Sequence, residues 1–89
     1  MTSSGDVMMY SAGWCPYCMR ARALLERKGV GIREIKVDED PAERQAMLER
    51  SGGRRTVPQI FIGDRHVGGF DELHALDKAG ELDRLLGRA

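Results

Sequence analysis

The chain has 89 residues, and its 14 basic residues balance its 14 acidic ones, so the formal net charge is zero. This length predicts a single domain over residues 1–89 with a compact core, and the balanced charge excludes a whole-molecule field that would attract nucleic acid or an anionic membrane. Residues 1–6 are polar and show no signal-peptide pattern, and no run reaches the roughly 18 apolar residues of a membrane span, so we predict a cytoplasmic protein.

The first half of the chain predicts the order strand, helix, strand, helix. Residues 7–10 form a short apolar run typical of a buried strand. Residues 16–28 are rich in helix formers, begin with Pro16 and end before a glycine. Residues 32–37 are rich in β-branched side chains, which favours a second strand. An acidic cluster then caps a second helix over residues 42–51.

The second half predicts a hairpin followed by helix. Residues 59–62 and 65–68 flank Gly63-Asp64, a tight-turn signal. Asp71 is a favourable N-cap for a third helix, and a short helical segment follows Gly80. A right-handed βαβ unit makes the first two strands parallel, and the hairpin makes the last two antiparallel. We therefore predict an α/β protein with a four-stranded mixed sheet flanked by helices, in the order βαβαββα.

Both cysteines of the chain, Cys15 and Cys18, lie in one Cys-x-x-Cys motif just after the first strand. This spacing suits half of a zinc site, a structural staple or a redox-active dithiol. Zinc is disfavoured, because the only histidines, His66 and His74, lie eight positions apart and do not have the usual ligand spacing. A permanent staple is uncommon in a reducing cytoplasm. We predict no metal site and favour the redox-active dithiol.

The two sulfurs are predicted to be unequal. The nucleophile in thiol–disulfide exchange is a thiolate, whereas an ordinary cysteine thiol is mostly protonated at neutral pH. Cys15 precedes the first helix, where unpaired N–H groups and the helix dipole favour negative charge. Cys18 lies one turn further on. We expect Cys15 to be an exposed nucleophile and Cys18 to be a more buried residue that resolves the mixed disulfide formed by Cys15.

Three separated motifs, in this order, give the chain a resemblance to a known family: Cys15-Pro16-Tyr17-Cys18, Thr56-Val57-Pro58 and Gly68-Gly69-Phe70-Asp71. The chain resembles the glutaredoxins of the thioredoxin superfamily, and in particular the small bacterial dithiol type. The resemblance implies a thioredoxin-like fold and a cis peptide bond before Pro58. It also implies a glutathione-dependent enzyme, without a permanently bound cofactor, that reduces protein disulfides and glutathione mixed disulfides as a monomer.

The resemblance also implies which residues bind glutathione. The backbone edge for the peptide is assigned to Val57, in the segment Thr56-Val57-Pro58. One glutathione carboxylate is assigned to the helix start at Gly69, Phe70 and Asp71, and the other to Tyr17 and Arg44. Relatives usually carry a lysine shortly before the first cysteine, where this chain has Ala12, Gly13 and Trp14. Arg44, Arg54 or Arg55 are the candidates to replace that charge, but loop arginines such as Arg54 and Arg55 are most often solvated side chains, so these two are left out of the predicted site.

Two alternative functions use the same scaffold. Some glutaredoxins bind a [2Fe-2S] cluster between two protomers through the first cysteine and glutathione, but the rigid Pro16 disfavours this. A thioredoxin-like donor served by a reductase is disfavoured by the two glutathione-contact motifs. Trp14 is predicted either to form a docking surface for protein partners or to fold onto the domain. His66 and His74 are predicted to have no role in the chemistry.

Overall fold

The structure is a computed structural model, and it describes residues 6–87. It contains four strands and four helices in the predicted order, with the last helical segment separated from the third helix by Gly80. Their bounds are β1 Val7–Ser11, α1 Pro16–Arg27, β2 Ile32–Lys36, α2 Pro41–Arg50, β3 Gln59–Ile62, β4 Arg65–Gly68, α3 Phe70–Lys78 and α4 Glu81–Leu85. Most of the polar N-terminal segment, on which we predicted the absence of a leader, lies outside the described residues.

The four strands form one mixed sheet in the order β2-β1-β3-β4. β1 runs parallel to β2 and antiparallel to β3, and β3 pairs with β4 in an antiparallel hairpin. The parallel pair and the hairpin confirm the predicted topology. β1 is therefore a central strand, and its carboxyl end leads directly into the segment that holds both cysteines.

Side chains of the central strands alternate between the two faces of the sheet, as the period of a β-strand requires. On one face Val7 and Met9 join the larger core, which α1, α3 and α4 cover. On the other face Tyr10 joins a smaller cluster with Val37, Met47 and Phe61, and of these Met47 comes from α2. The sheet is thus covered by three helices on one face and by α2 on the other.

The helix ends have identifiable causes. The side chain of Asp40 accepts hydrogen bonds from the N–H groups of Ala42 and Glu43, so the predicted acidic cap of α2 is confirmed. Pro41 takes the first helical position, where no N–H is needed. Among residues 6–87, no helix combines the length and the apolar character needed to cross a membrane.

A charged cluster ties α1 to the sheet close to the cysteines. Arg22 of α1 donates two hydrogen bonds to Glu34 of β2, at 2.9 and 2.6 Å. The hydroxyl of Ser11, which is fully buried at the end of β1, donates to the same carboxylate. The Arg22 guanidinium, and secondarily the Ser11 hydroxyl, lower the pKa of Glu34 against an opposing effect of burial. The ionised form of Glu34 therefore stabilises the fold.

We expect Glu34→Gln to lower the free energy of unfolding by about 1 kcal/mol at pH 7. The pKa of Glu34 is lower in the folded chain than in the unfolded chain, where it is about 4.3. The stabilisation is therefore complete above about pH 4.3 and is lost as the pH falls through the lower folded-state value. Urea unfolding of both proteins at several pH values should show the difference shrinking below that point. Glu39→Gln, at an exposed position, is the control; a difference that does not vary with pH would contradict the role of the charge.

Candidate active site

Cys15 is the N-cap of α1, and its sulfur contacts the start of that helix. The backbone at Cys15 is extended, and the N–H of Cys18 donates to Cys15 Sγ at 3.1 Å. Pro16 occupies the first helical position. A thiolate at Cys15 therefore receives a direct N–H hydrogen bond and lies at the positive end of the helix dipole. This confirms the predicted position of Cys15 relative to the helix.

The second neighbour of the Cys15 sulfur comes from a distant part of the chain. Cys15 Sγ lies 3.6 Å from the carbonyl oxygen of Val57, to which its S–H donates. The Val57–Pro58 peptide bond is cis, as the resemblance implies. The loop that precedes β3 therefore faces the dithiol directly.

The prediction that Cys15 is exposed is wrong, because only 5% of its surface is accessible. The start of α1 and the Val57 carbonyl lie against the sulfur. The first contact follows from the predicted helix start, whereas the second joins residues 42 positions apart and could not be inferred from residues near Cys15 in sequence. Cys15 nevertheless lines a cavity of about 530 Å³. A substrate sulfur would therefore reach it through this cavity.

Cys18 differs from Cys15 in the way that was expected of a resolving cysteine. It is completely buried, and both cysteines are free thiols. Burial, followed by the hydrogen bond with Cys15, raises the pKa of the Cys18 thiol to about 12. Cys18 is therefore a neutral thiol at physiological pH. It has to lose its proton during a reaction before it can attack.

The structure brings the predicted site residues together around two neighbouring cavities. The cavity beside Cys15 is also lined by Tyr17, Arg44, Thr56 and Val57. The second cavity, of about 320 Å³, is lined by seven of the predicted residues: Tyr17, Thr56, Val57, Pro58, Gly69, Phe70 and Asp71. Tyr17, Thr56 and Val57 line both cavities, so the two form one continuous region. Cys18 alone among the predicted residues lies beneath it.

Aromatic side chains form an exposed wall of this region. Tyr17 is 53% exposed, and its ring lies 6.3 Å from that of Phe70. The guanidinium of Arg20 lies 5.5 Å from the centre of the Tyr17 ring. Trp14 is 77% exposed and lines the Cys15 cavity, so it does not fold onto the domain. This leaves Trp14 available to contact a partner.

The start of α3 differs from the prediction. Asp71 was predicted as the N-cap, but Gly69 takes that position, and Asp71 lies in the first turn. The reason is Glu72, whose longer side chain reaches back and accepts a hydrogen bond from the N–H of Gly69 at 2.7 Å. This bond lowers the pKa of Glu72. Of the three backbone donors proposed for a carboxylate, the one from Gly69 is thus already used by Glu72.

The glycine just before the N-cap of α3 is the position that cannot carry a side chain. A Cβ at Gly68 would lie 2.9 Å from Glu72 Oε1 and 3.0 Å from the Arg54 guanidinium, and its backbone has a φ of 115°, which favours glycine. At Gly69 a Cβ would lie 3.4 Å from the carbonyl oxygen of Pro58, so the start of α3 lies directly against the cis-proline loop.

Two arginines outside the predicted site also line the cavities. Arg55 lines the cavity beside Cys15 together with Arg44. Arg54 lines the second cavity and forms an ion pair with Glu72 at 3.7 Å. Ala12, in the segment before Cys15 that lacks the usual lysine, is buried at the edge of the Cys15 cavity. Of the three candidate replacements, Arg44 and Arg55 therefore share a cavity with Cys15, whereas Arg54 lines the other one.

Comparisons with known proteins agree with this geometry. The glutaredoxin family model matches residues 7–67. A glutaredoxin from Pseudomonas aeruginosa is 58% identical over 80 residues, which cover 90% of this chain and 94% of that protein. The solution structure of a glutaredoxin from Brucella melitensis matches with a TM-score of 0.82 and 53% identity, over 97% of this chain and 92% of that one. A buckwheat glutaredoxin–glutathione complex matches with a TM-score of 0.84 and 32% identity, over 96% of this chain and 79% of that one.

The matched family model spans both cysteines and the cis-proline loop, and the matching structures share the thioredoxin-like fold. The dithiol at the start of α1 has the arrangement needed for thiol–disulfide exchange, with one sulfur at the helix start and the other buried one turn further on. The chain belongs to the glutaredoxin family and is a thiol–disulfide oxidoreductase.

Proposed function

We propose that this protein is a glutathione-dependent dithiol oxidoreductase that reduces protein disulfides and glutathione mixed disulfides. The observation that carries the proposal is the position of Cys15 Sγ, between the Cys18 N–H and the Val57 carbonyl at the edge of a cavity. Two basic residues, Arg44 and Arg55, also line this cavity. Glutathione carries two carboxylates and a reactive sulfur, so a site with a nucleophile and nearby cations suits it.

With a glutathionylated protein, the Cys15 thiolate attacks the glutathione sulfur. The Cys15–glutathione bond forms, the original S–S bond breaks, and the protein leaves as a thiolate that takes a proton from solvent. A second glutathione, reacting as its thiolate, then attacks the glutathione sulfur of this adduct. Its products are oxidised glutathione and the regenerated Cys15 thiolate, so Cys18 is not required on this route.

With a protein disulfide, Cys15 forms a mixed disulfide with one substrate sulfur and releases the other as a thiolate. Cys18 loses its proton, attacks Cys15 Sγ and releases the second substrate thiolate. The resulting Cys15–Cys18 disulfide is reduced by two glutathione molecules, which become oxidised glutathione. The N–H of Cys18 already contacts Cys15 Sγ, so the two residues need little rearrangement to react.

The proposed glutathione site uses both cavities. Tyr17 and Arg44 contact one carboxylate of glutathione. The backbone of Val57, between Thr56 and Pro58, pairs with the peptide. The start of α3 at Gly69, Phe70 and Asp71 binds the other carboxylate. Because Glu72 holds the Gly69 N–H, the N–H groups of the first turn supply most of that contact. The complex of the buckwheat glutaredoxin with glutathione supports this proposal. We further propose that the protein acts as a single-domain monomer in the cytoplasm.

A coupled assay tests the proposal. We expect turnover of a glutathionylated peptide with glutathione and glutathione reductase, and little or none with thioredoxin reductase in their place. The reductase consumes NADPH, so absorbance of NADPH reports each turnover. Activity that depends only on thioredoxin reductase would contradict glutathione dependence while leaving the oxidoreductase class intact.

The [2Fe-2S] alternative receives less support from the site. Each chain would offer one sulfur, Cys15, which is 5% exposed and is covered by the Val57 carbonyl and the start of α1. Pro16 restrains the adjoining backbone. The residues as arranged do not fit a cluster shared between two chains. A brown dimer that absorbs visible light after purification with glutathione would nevertheless favour that alternative.

A further inference from the structure

Gln59 is a completely buried polar side chain at the start of β3, immediately after the cis-proline. Burying a carboxamide is costly unless its donors and acceptor are all hydrogen-bonded. A leucine of similar size could fill this position without that requirement. The contacts of the Gln59 carboxamide therefore indicate what it does.

The carboxamide of Gln59 connects two parts of the structure. Its Nε2 donates to the carbonyl oxygen of Thr56 at 3.0 Å and to the hydroxyl oxygen of Thr56 at 3.2 Å. Its Oε1 lies 2.7 Å from Nε2 of His66 in β4. Since both amide hydrogens bond to Thr56, the oxygen faces His66, and His66 Nε2 must be the donor. The His66 ring stacks on Phe61, 4.8 Å between ring centres, which holds the imidazole in place.

These contacts link β4 to the loop that faces the dithiol. Thr56 is exposed, so burial of its own side chain does not fix its position. The next residue, Val57, places its carbonyl oxygen 3.6 Å from Cys15 Sγ. A shift of Thr56 would therefore move the Val57 backbone relative to the nucleophile.

We propose that Gln59 and His66 are positioning residues that hold Thr56, and through it the backbone edge of Val57, in place beside Cys15 for substrate binding. The chain of contacts runs from His66 through Gln59 to Thr56 and then along the backbone to Val57. This inference rests on the proposed function in one respect, since it assigns the Val57 backbone edge to glutathione. The sequence predicted no role for His66 and did not single out Gln59.

The test compares Gln59→Leu and His66→Phe with the unaltered protein. Gln59→Leu keeps the apolar volume and removes both bonds to Thr56. We expect it to raise the KM for a glutathionylated peptide about tenfold and to leave kcat within about twofold. His66→Phe keeps an aromatic ring against Phe61 but removes the donor, so its KM should rise in the same direction by a smaller factor. The double variant should be no worse than Gln59→Leu, because both residues act through Thr56.

A structural readout separates positioning from general destabilisation. The backbone amide signal of Val57 in ¹H–¹⁵N spectra should shift in both single variants. The control is Ile62→Val, a substitution in the core of the same strand, and it is compared with the other variants at the same distance from the urea midpoint of each protein. It should change neither the KM nor the Val57 signal.

Several outcomes would overturn the inference. If Gln59→Leu behaves like Ile62→Val, with lower stability but the same KM and Val57 signal, Gln59 is only a structural residue. If Gln59→Leu does not fold, His66→Phe decides, and an unchanged KM together with an unchanged Val57 signal refutes the role. If the unaltered protein does not turn over glutathione substrates at all, the proposed function fails, and the Val57 signal alone decides whether the loop is positioned by Gln59.

Discussion

Cys15→Ser should abolish turnover of both a small glutathione mixed disulfide and a protein disulfide. A serine hydroxyl in place of the sulfur stays protonated at neutral pH and cannot form a stable disulfide, so the first step of both routes is lost. Cys18→Ser should retain turnover of the glutathione mixed disulfide and lose turnover of the protein disulfide, because only the second route uses the buried thiol. Initial rates on the two substrates, measured with glutathione and glutathione reductase, check both expectations.

The different environments of the two sulfurs underlie this asymmetry. Cys15 borders a cavity and accepts a hydrogen bond from the Cys18 N–H, whereas Cys18 is completely buried and its thiol has a pKa raised to about 12. Met19→Ala, which changes an exposed side chain next to Cys18, is a control for general effects on the helix. Equal loss of both activities in Cys18→Ser would mean that this thiol takes part in every turnover, contrary to the mechanism proposed.

Met47→Ala should cause a large loss of stability, about 2 to 5 kcal/mol in the free energy of unfolding. Met47 is completely buried, and it is the one buried residue of α2. Its side chain packs with Tyr10, Val37 and Phe61, so its removal leaves a cavity in the smaller core. Because whole domains are stable by only about 5 to 15 kcal/mol, this loss is a large fraction of the total. Urea unfolding followed by circular dichroism provides the measurement.

The same substitution should weaken the proposed glutathione site. Arg44 lies one turn before Met47 on α2, so a loosened helix no longer holds that guanidinium at the Cys15 cavity. We expect the KM for glutathione to rise at temperatures where Met47→Ala is still folded. Leu48→Ala, at a half-buried position of the same helix, is the matched control and should have smaller effects. Equal effects of the two substitutions would show that α2 is held by other contacts, such as the Arg50 side chain over Phe61.

The elements and the topology of this fold follow from local patterns in the sequence. Apolar runs, the helix-starting prolines and the Gly63-Asp64 turn each depend on residues close together in the chain. Asp40 caps α2 as predicted because an N-cap contacts only the next few residues. The order of the strands, with β1 in the centre of the sheet, involves pairing between distant segments and was not predicted.

The site was less predictable because its geometry depends on contacts between distant residues. The burial of Cys15 results from a carbonyl 42 positions away. Gly69, and not Asp71, is the N-cap of α3, because the Glu72 side chain reaches back to accept a hydrogen bond from the Gly69 N–H and the helix begins two residues earlier than predicted. Arg55 cannot be distinguished from a solvated loop arginine until the loop is placed beside Cys15. Residue types and motif order therefore locate the site, and the tertiary structure determines which groups face each other.

The unequal covering of the two faces of the sheet bears on how the molecule opens. Three helices and most of the buried side chains lie on one face, whereas the other face is closed by a single helix with one completely buried residue. Proteins open in cooperative segments, and the segment with the fewest buried contacts opens first. Partial unfolding should thus release α2 while α1 remains packed on the sheet with both cysteines. Both reactive sulfurs therefore lie at α1, which stays packed on the sheet. Arg44 of the proposed binding site lies on α2, which opens more often.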